Sequence, residues 1–130
     1  MGKPIDAAQF GAEFKLGMRS LAGAVNIITC RHAGHLYGMT ATAVCSATAE
    51  PPSVLVCINR GSTTHEAVAR AAIFCVSVLR HEDRELSSLF SGTLKGEGRF
   101  REAQWEELST GAPVLKDALV AFDCRVVNRM

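Results

Sequence analysis

The sequence predicts a mostly β fold, an antiparallel barrel with α decoration, and three observations favour it. Five short segments rich in apolar and β-branched residues recur along the 130 residues. Short turns join the first of these segments, as in antiparallel hairpins, whereas parallel strands need long crossovers. Helical patterns separate only some of the segments, which fits a small barrel better than a regular βαβ repeat. A chain of this length is one domain, over residues 1–130.

Three helices follow from apolar spacing and capping residues. The first, over residues 7–22, begins at a capping box formed by Asp6 with Gln9 and stops at Gly23. Apolar residues recur along it at helical spacing, and these are Phe10, Phe14, Met18 and Leu21.

The other two helices are short. Thr63 and Glu66 fit a capping box that opens a helix over residues 64–72. Residues 81–90 form the third helix, whose apolar stripe consists of Leu86, Leu89 and Phe90.

The five strands are predicted from β-branched content, and they are 24–31, 37–50, 53–59, 73–79 and 118–127. Residues 32–35 form the turn between the first two, and Pro51 and Pro52 end the second. The third is expected to be buried on both faces. Residues 91–112 are predicted to be a surface excursion anchored by Trp105.

The second strand, within YGMTATAVCSATAEPP at residues 37–52, has unusually small side chains. At a period of two residues, one face carries mostly hydroxyls, from Thr40, Thr42, Ser46 and Thr48, and the other carries Met39, Ala41, Ala43, Cys45 and Ala47. Half-buried strands are more often filled by bulky β-branched residues. A ligand is therefore one candidate for the space above this strand.

Composition excludes several function classes. The formal net charge of +1 and the aromatic content of 6% give no reason to expect nucleic acid as a partner. No apolar run approaches the roughly 20 residues of a membrane span, and no signal peptide is recognisable, so we expect no membrane and a cytoplasmic location. The five cysteines include no C-x-x-C pair and are expected to be buried thiols.

The familiar catalytic patterns are missing. The sequence contains no G-x-S-x-G, no P-loop and no G-x-G-x-x-G. His32 and His35 lie in a turn without a third ligand nearby, so no metal site is predicted, and His65 stays open between a structural and a functional role. The carboxylates of the short helices indicate solvation, so no catalytic residue is predicted.

A group of small hydrogen-bonding residues remains. The loop RGSTT, residues 60–64, ends at a predicted helix N-terminus, where free N–H groups and the helix dipole favour an anion such as phosphate. Arg60 could add charge-assisted contacts. Together with the small-residue strand, the loop describes a site for a flat ligand with a phosphorylated tail. The alternative is a solvent-facing strand pair and an ordinary capped loop.

The segments GMTATAVCS at 38–46 and EPPSVLVCINRGSTTHE at 50–66 resemble the flavin reductase family, which has the FMN-binding split-barrel fold. The resemblance extends in order through residues 14–30, 74–79 and 111–127. It implies a six-stranded, Greek-key-like split barrel, FMN or FAD as the flavin, and NADH or NADPH as the hydride donor. It also implies a homodimer that supplies reduced flavin to a partner monooxygenase.

The resemblance also implies which residues hold the flavin. Gly38, Met39, Thr40, Ala41, Thr42 and Ser46 would line it. The next segment along the ring and ribityl chain would be Cys57, Ile58 and Asn59, and the phosphate loop would be Arg60, Ser62 and Thr64. A segment closing over the phosphate or nucleotide tail would contain Lys95, Arg99 and Phe100. No acid or base is needed, because hydride passes to N5 of the flavin and the protein supplies position.

Members of the family usually continue for several dozen residues, with a further strand and a Gly-Asp-His motif associated with NAD(P)H. The expectation is therefore a domain that lacks this last strand and tail. Two alternatives stay open: a flavin-dependent reductase of cobalt corrinoids in cobalamin synthesis, and a flavin- or haem-binding module without turnover.

Overall fold

The fold is taken from a computed structural model, which describes residues 6–21, 23–92 and 96–130. In these ranges the helices are α1 (Ala7–Leu21), α2 (Thr63–Ala71) and α3 (Arg84–Ser91), with 3-10 helices at His81–Asp83 and Glu97–Glu102. The strands are β1 (Asn26–His32), β2 (His35–Ala41), β3 (Val44–Ala49), β4 (Pro52–Val56), β5 (Ile73–Val78), β6 (Trp105–Glu107), β7 (Pro113–Leu115) and β8 (Val120–Arg125).

The strands form one four-stranded sheet, in the order β2-β1-β5-β8, and two ribbons, β3-β4 and β6-β7. Each pairing among the described strands is antiparallel. The mostly β, antiparallel architecture with added helices is therefore confirmed. Each of the three predicted helices is also present, with bounds shifted by a residue or a few.

Helices cover both faces of the central sheet. Successive side chains of β1 point to opposite faces, so neighbouring residues pack against different helices. Ile27 packs in one apolar cluster with Leu86 and Phe90 of α3. Ile28 packs in a second cluster with Ala67 and Val68 of α2. Both isoleucines are fully buried, which stabilises the fold by roughly 1.5–3 kcal/mol for each side chain.

The predicted single strand through residues 37–50 is wrong. It is two strands in two sheets, because β2 ends at Ala41 and β3 begins at Val44. At the end of β2, the buried Asn26 side chain donates to the carbonyl of Ala41 at 3.2 Å. The hydroxyls expected along one strand face are therefore divided between two different surfaces.

Three further expectations are corrected. The third strand, β4, is not buried on both faces, since Leu55 is 43% exposed. Cys45 and Cys57 are exposed, whereas Cys30 and Cys75 are buried, because the β3-β4 ribbon is covered on one side only. Residues 91–112 are more than a surface excursion: outside the undescribed residues 93–95 they contain β6 and the buried Phe100.

No helix among the described residues is long and apolar enough to cross a membrane.

Candidate functional site

The two faces of β2 have different surroundings. Tyr37, Met39 and Ala41 join the cluster beneath α2. On the other face, Gly38 lies against Phe90 of α3. Thr40 lies on that face too, where its hydroxyl donates to the carbonyl of Ser87 at 2.6 Å. The predicted flavin-lining residues of this strand therefore face two different surfaces.

The α2 side of β2 meets the loop that precedes α2. Met39 and Ile58 pack in the same apolar cluster. The Ser62 hydroxyl lies 4.0 Å from the Met39 sulfur. The fold thus brings the small-residue strand and the predicted phosphate loop together, although 23 residues separate Met39 from Ser62 along the chain.

The loop itself is a hydrogen-bonded turn. The side-chain oxygen of Asn59 accepts from the backbone N–H of Gly61 at 2.8 Å. The backbone carbonyl of Asn59 accepts from the N–H of Ser62 at 3.0 Å. The Ser62 hydroxyl donates back to the Asn59 carbonyl at 2.8 Å and accepts from the N–H of His65 at 3.1 Å. Ser62, not Thr63, is therefore the N-cap of α2.

This arrangement satisfies one of the N–H groups that the first turn of a helix leaves without an intrahelical partner. The remaining N–H groups and the positive end of the helix dipole lie where the loop meets β2, an environment that favours an anion. Arg60 is exposed on the same turn. Thr64, by contrast, is only 2% exposed, so its hydroxyl has little access to a ligand from solvent.

The free edge of β2 is partly used by the 3-10 helix Glu97–Glu102. The N–H of Leu36 donates to the Glu97 carboxylate. The carbonyl of Gly38 accepts from the Arg99 guanidinium at 3.1 Å. In an antiparallel strand, the N–H and the carbonyl of one residue point to the same side, and every second residue repeats that direction. Since Leu36 and Gly38 bond at this edge, the N–H groups of Gly38 and Thr40 also point outward there.

Arg99 is held in place by an aromatic ring as well. Its guanidinium carbon lies 4.7 Å from the centre of the Phe90 ring, within the range of a cation–π contact. Burial lowers the pKa of the Arg99 guanidinium from its ordinary value. The contact places a fixed positive charge beside the edge of β2.

Phe100 has a structural position. It is 6% exposed and packs edge-on against Phe90, with ring centres 5.1 Å apart. The indole N–H of Trp105 donates to the backbone carbonyl of Phe100 at 2.8 Å. The expectation that Phe100 belongs to a segment that closes over a ligand therefore has no support from its packing.

The remaining predicted site residues lie near the connection between β2 and β3. Thr42 and Ser46 are exposed, as are Cys57, Asn59 and Arg60. The carbonyl of Ala43 accepts from the N–H of Cys57 at 3.0 Å, which places the connection beside the end of β4. Lys95 lies outside the described residues.

Two residues near the site were not predicted from the sequence. Glu97 binds the edge of β2, and Tyr37 belongs to the same face as Met39. The alternation of β2 could have indicated Tyr37, whereas Glu97 depends on tertiary packing that no local pattern encodes.

The model of the family described as "Flavin reductase like domain" matches residues 18–130. The chain belongs to this family. The match covers β1 to β8. The β2 edge, the loop at 59–62 and Arg99 therefore all lie within the matched region.

Named relatives of this flavin reductase like domain are similar over most of the chain. A protein of Bradyrhizobium diazoefficiens, FMN reductase (NADH) RutF, is 45% identical over 116 residues, which are 89% of this chain and 64% of that protein. The corresponding protein of Pantoea ananatis is also 45% identical, over 95% of this chain and 65% of its own length. The chain thus spans slightly less than two thirds of these curated relatives.

Solved structures agree with the fold. The flavin reductase PheA2 is 34% identical, with a TM-score of 0.81 over 95% of this chain and 76% of PheA2. BorF, the flavin reductase component of a bacterial two-component tryptophan halogenase, is 25% identical, with a TM-score of 0.82 over 91% of this chain and 75% of BorF.

The residues of this flavin reductase like domain fit a flavin mononucleotide on the α2 side of β2. The loop at 59–62 and the α2 N-terminus supply donors for a phosphate. Met39, Ala41 and Ile58 would supply apolar contacts to the ring, and the short side chains at residues 41–43 would let it approach the backbone. Gly38 and Thr40 can contribute only through the backbone, because their other contacts are on the α3 side.

Proposed function

We propose that this chain is the flavin-binding domain of an NADH-dependent flavin reductase, with FMN as the flavin. The observation that carries the proposal is the contact between β2 and the loop at 59–62, which precedes α2 and is called the α2 loop below. There the Ser62 hydroxyl lies 4.0 Å from the Met39 sulfur. The junction joins an apolar, small-residue surface for a ring to an anion-binding helix terminus for a phosphate. The similarity to FMN reductases (NADH) supports the choice of flavin and hydride donor.

The chain would act by binding and positioning. When bound, the flavin supplies the acceptor atom, N5, for a hydride from a nicotinamide. The α2 loop would fix the phosphate, and the outward N–H groups of β2 would orient the polar edge of the ring. A positioned pair of reactants needs no side-chain acid or base.

The test is a titration followed by an assay with the purified chain. We expect FMN fluorescence to be quenched saturably, and NADH to be oxidised at a rate that depends on added FMN under anaerobic conditions. Binding of FMN without NADH oxidation would reject the reductase and leave a flavin-binding module. No binding of FMN would reject both.

We further propose that reduced flavin leaves the domain and reaches a separate oxygenase by diffusion. BorF is the reductase component of a two-component system, and this likeness supports the proposal. Cytochrome c held behind a dialysis membrane should be reduced anaerobically only when NADH and free FMN are both present. Reduction that requires direct contact between the two proteins would contradict it.

We also propose that the chain forms a homodimer, in which α1 takes part. The apolar stripe of α1 faces solvent in the single chain, with Phe14 58% and Leu21 75% exposed. Contiguous apolar surface of this kind often marks a protein interface. Light scattering should give a dimer mass, which Phe14→Glu lowers to that of a monomer while Lys15→Glu does not. A monomeric wild-type chain would contradict the proposal.

A further inference from the structure

Two exposed thiols lie on the outer face of the β3-β4 ribbon. Cys45 is directly opposite Leu55 in the antiparallel register of the ribbon. The N–H of Cys57 donates to the carbonyl of Ala43 at 3.0 Å, which continues the same ladder beyond the end of β4. Residues that are opposite each other share a face, and successive residues alternate between faces. Cys45, Leu55 and Cys57 therefore all lie on one face.

The exposure of the ribbon agrees with this assignment. Val44, Val54 and Val56 belong to the apolar cluster beneath α2, and they alternate with the residues of the outer face. Leu55 is 43% exposed, and both cysteines are exposed. The ribbon therefore turns its valines to the core and its two thiols to solvent.

The two cysteines are diagonal neighbours, because Cys57 lies two residues beyond Leu55, the partner of Cys45. Diagonal neighbours in an antiparallel pair have Cα atoms about 7–8 Å apart, and their Cβ atoms are somewhat closer. Disulfides usually join residues whose Cα atoms are about 4.4–6.8 Å apart. A direct disulfide between Cys45 and Cys57 would therefore require the backbone to move.

A single metal ion between the two sulfurs fits the diagonal spacing better. The bond from a thiolate sulfur to a metal such as zinc is about 2.3 Å long, so an ion held linearly keeps two sulfurs about 4.6 Å apart. The sulfurs of a disulfide are only about 2.05 Å apart. The ion thus adds about 2.5 Å of reach, and side-chain rotation can supply the rest.

The number of ligands selects the class of ion. Structural zinc sites use four protein ligands, and catalytic zinc sites use three. Among the residues that the structure describes, no group of three or more His, Cys, Asp or Glu side chains could hold a metal ion. Soft thiolate ligands favour Cu(I), which accepts two sulfurs in a linear arrangement. The pair therefore suits a soft monovalent ion.

The other three thiols are poor competitors for such an ion. The thiolate, and not the thiol, is the metal ligand. Burial raises the pKa of the Cys30 and Cys75 thiols to about 11, and it also raises the pKa of Cys124. These thiols therefore stay protonated at neutral pH.

We propose that Cys45 and Cys57 form a two-coordinate site for a soft monovalent metal ion such as Cu(I). Each sulfur binds as the thiolate, and the two thiol protons pass to solvent. The oxidation state of the metal does not change, so the step needs no oxidant or reductant. The inference goes beyond the proposed function and does not depend on it, because ion binding needs no flavin.

The test is an anaerobic titration of the reduced, metal-free chain with Cu(I), in competition with the chelator bicinchoninate, whose absorbance reports the ion that the chain leaves unbound. Cys45→Ser and Cys57→Ser each remove one ligand. The matched control is Cys124→Ser, which replaces a half-buried thiol on β8. Circular dichroism checks that each variant is folded, and light scattering follows the mass of the chain during the titration.

A second measurement identifies the ligands directly. The chain with and without Cu(I) is alkylated by iodoacetamide, and mass spectrometry of its peptides shows which thiols the ion protects. We expect Cu(I) to protect Cys45 and Cys57 together. Protection of only one of them would overturn the inference.

We expect the wild-type chain and Cys124→Ser to bind one Cu(I) per chain with equal affinity. Either single variant should bind at least about 100-fold more weakly, because the second thiolate is an intramolecular ligand. No binding by the wild-type chain, equal affinity in the single variants, or one Cu(I) shared between two chains would overturn the inference. A wild-type chain that binds Cu(I) but not FMN would overturn the proposed function and leave this inference standing.

Discussion

The close approach of β2 to the aromatic cluster predicts that Gly38 cannot carry a side chain. A Cβ atom at Gly38 would lie 2.7 Å from Cε1 and 2.9 Å from Cδ1 of Phe90, and 3.1 Å from Cζ of Phe100. The rings cannot easily move away, because Phe90 and Phe100 are 3% and 6% exposed. Trp105 also packs against both, with ring centres 5.8 Å and 4.9 Å away.

The cost of Gly38→Ala follows from two opposing effects. Overpacking a well-packed core costs about 1–3 kcal/mol. Replacing glycine by alanine reduces the entropy of the unfolded chain and recovers roughly 0.4–1 kcal/mol. We therefore expect a net loss of about 1–2 kcal/mol in the free energy of unfolding, measured by urea denaturation.

A second substitution tests the cause. Phe90→Leu removes the ring atoms nearest to the new Cβ, so Gly38→Ala should cost less in that background, with a coupling of about 0.5–3 kcal/mol. The control is Gly98→Ala, where a Cβ would meet nothing within 4 Å and stability should change by less than about 0.5 kcal/mol. A Gly38→Ala variant as stable as wild type, or zero coupling to Phe90, would refute the reasoning.

Three other predictions concern charge, capping and thiol exposure. Hydrogen bonds from Arg80 hold the pKa of the Asp83 carboxyl below its usual value, so its stabilisation is present at neutral pH and lost as the pH falls through the folded-state pKa. Asp83→Asn should thus melt lower than wild type at pH 7 and converge with it in acid, and an equal deficit at both pH values would exclude this ion pair as the cause. Ser62→Ala should lose about 1 kcal/mol of stability in urea, because the N–H of His65 loses its cap, and Ser62→Gly should lose less; equal losses would argue against capping. Burial raises the pKa of the Cys30 and Cys75 thiols to about 11. A thiol reagent at pH 8 should therefore label the exposed Cys45 and Cys57 before the buried Cys30 and Cys75. Uniform labelling rates would contradict the fold.

The sequence was sufficient where a strong local pattern marks an element, whether or not the element is buried. The helical spacing that starts at Phe10 predicted α1, and β-branched content predicted β1 and β5. The prediction failed at residues 42–43, because small side chains fit a strand, a loop or a ligand-facing surface equally well. The end of β2 coincides with the start of β1, where Asn26 pairs with Ala41 and also donates to its carbonyl through the side chain, a contact that the local pattern does not encode.

The candidate site shows the same division. The loop at 59–62 could be predicted because an N-cap and a tight turn are local features. Its position beside Met39 could not, since it depends on how α2 packs on the sheet. The burial of Phe100 was not predicted for the reverse reason: a glycine-rich, charged neighbourhood indicates a surface loop, whereas the ring packs against Phe90 and Trp105.

The flavin site itself is tested most directly by titrating FMN into two threonine variants. Thr42 lies at the connection that is proposed to face the ring, and Thr48 is also exposed, near the far end of β3. We predict saturable FMN binding to the wild-type chain, binding at least about tenfold weaker for Thr42→Leu, and unchanged binding for Thr48→Leu. Equal FMN affinity for the two variants would contradict the proposed placement of the flavin.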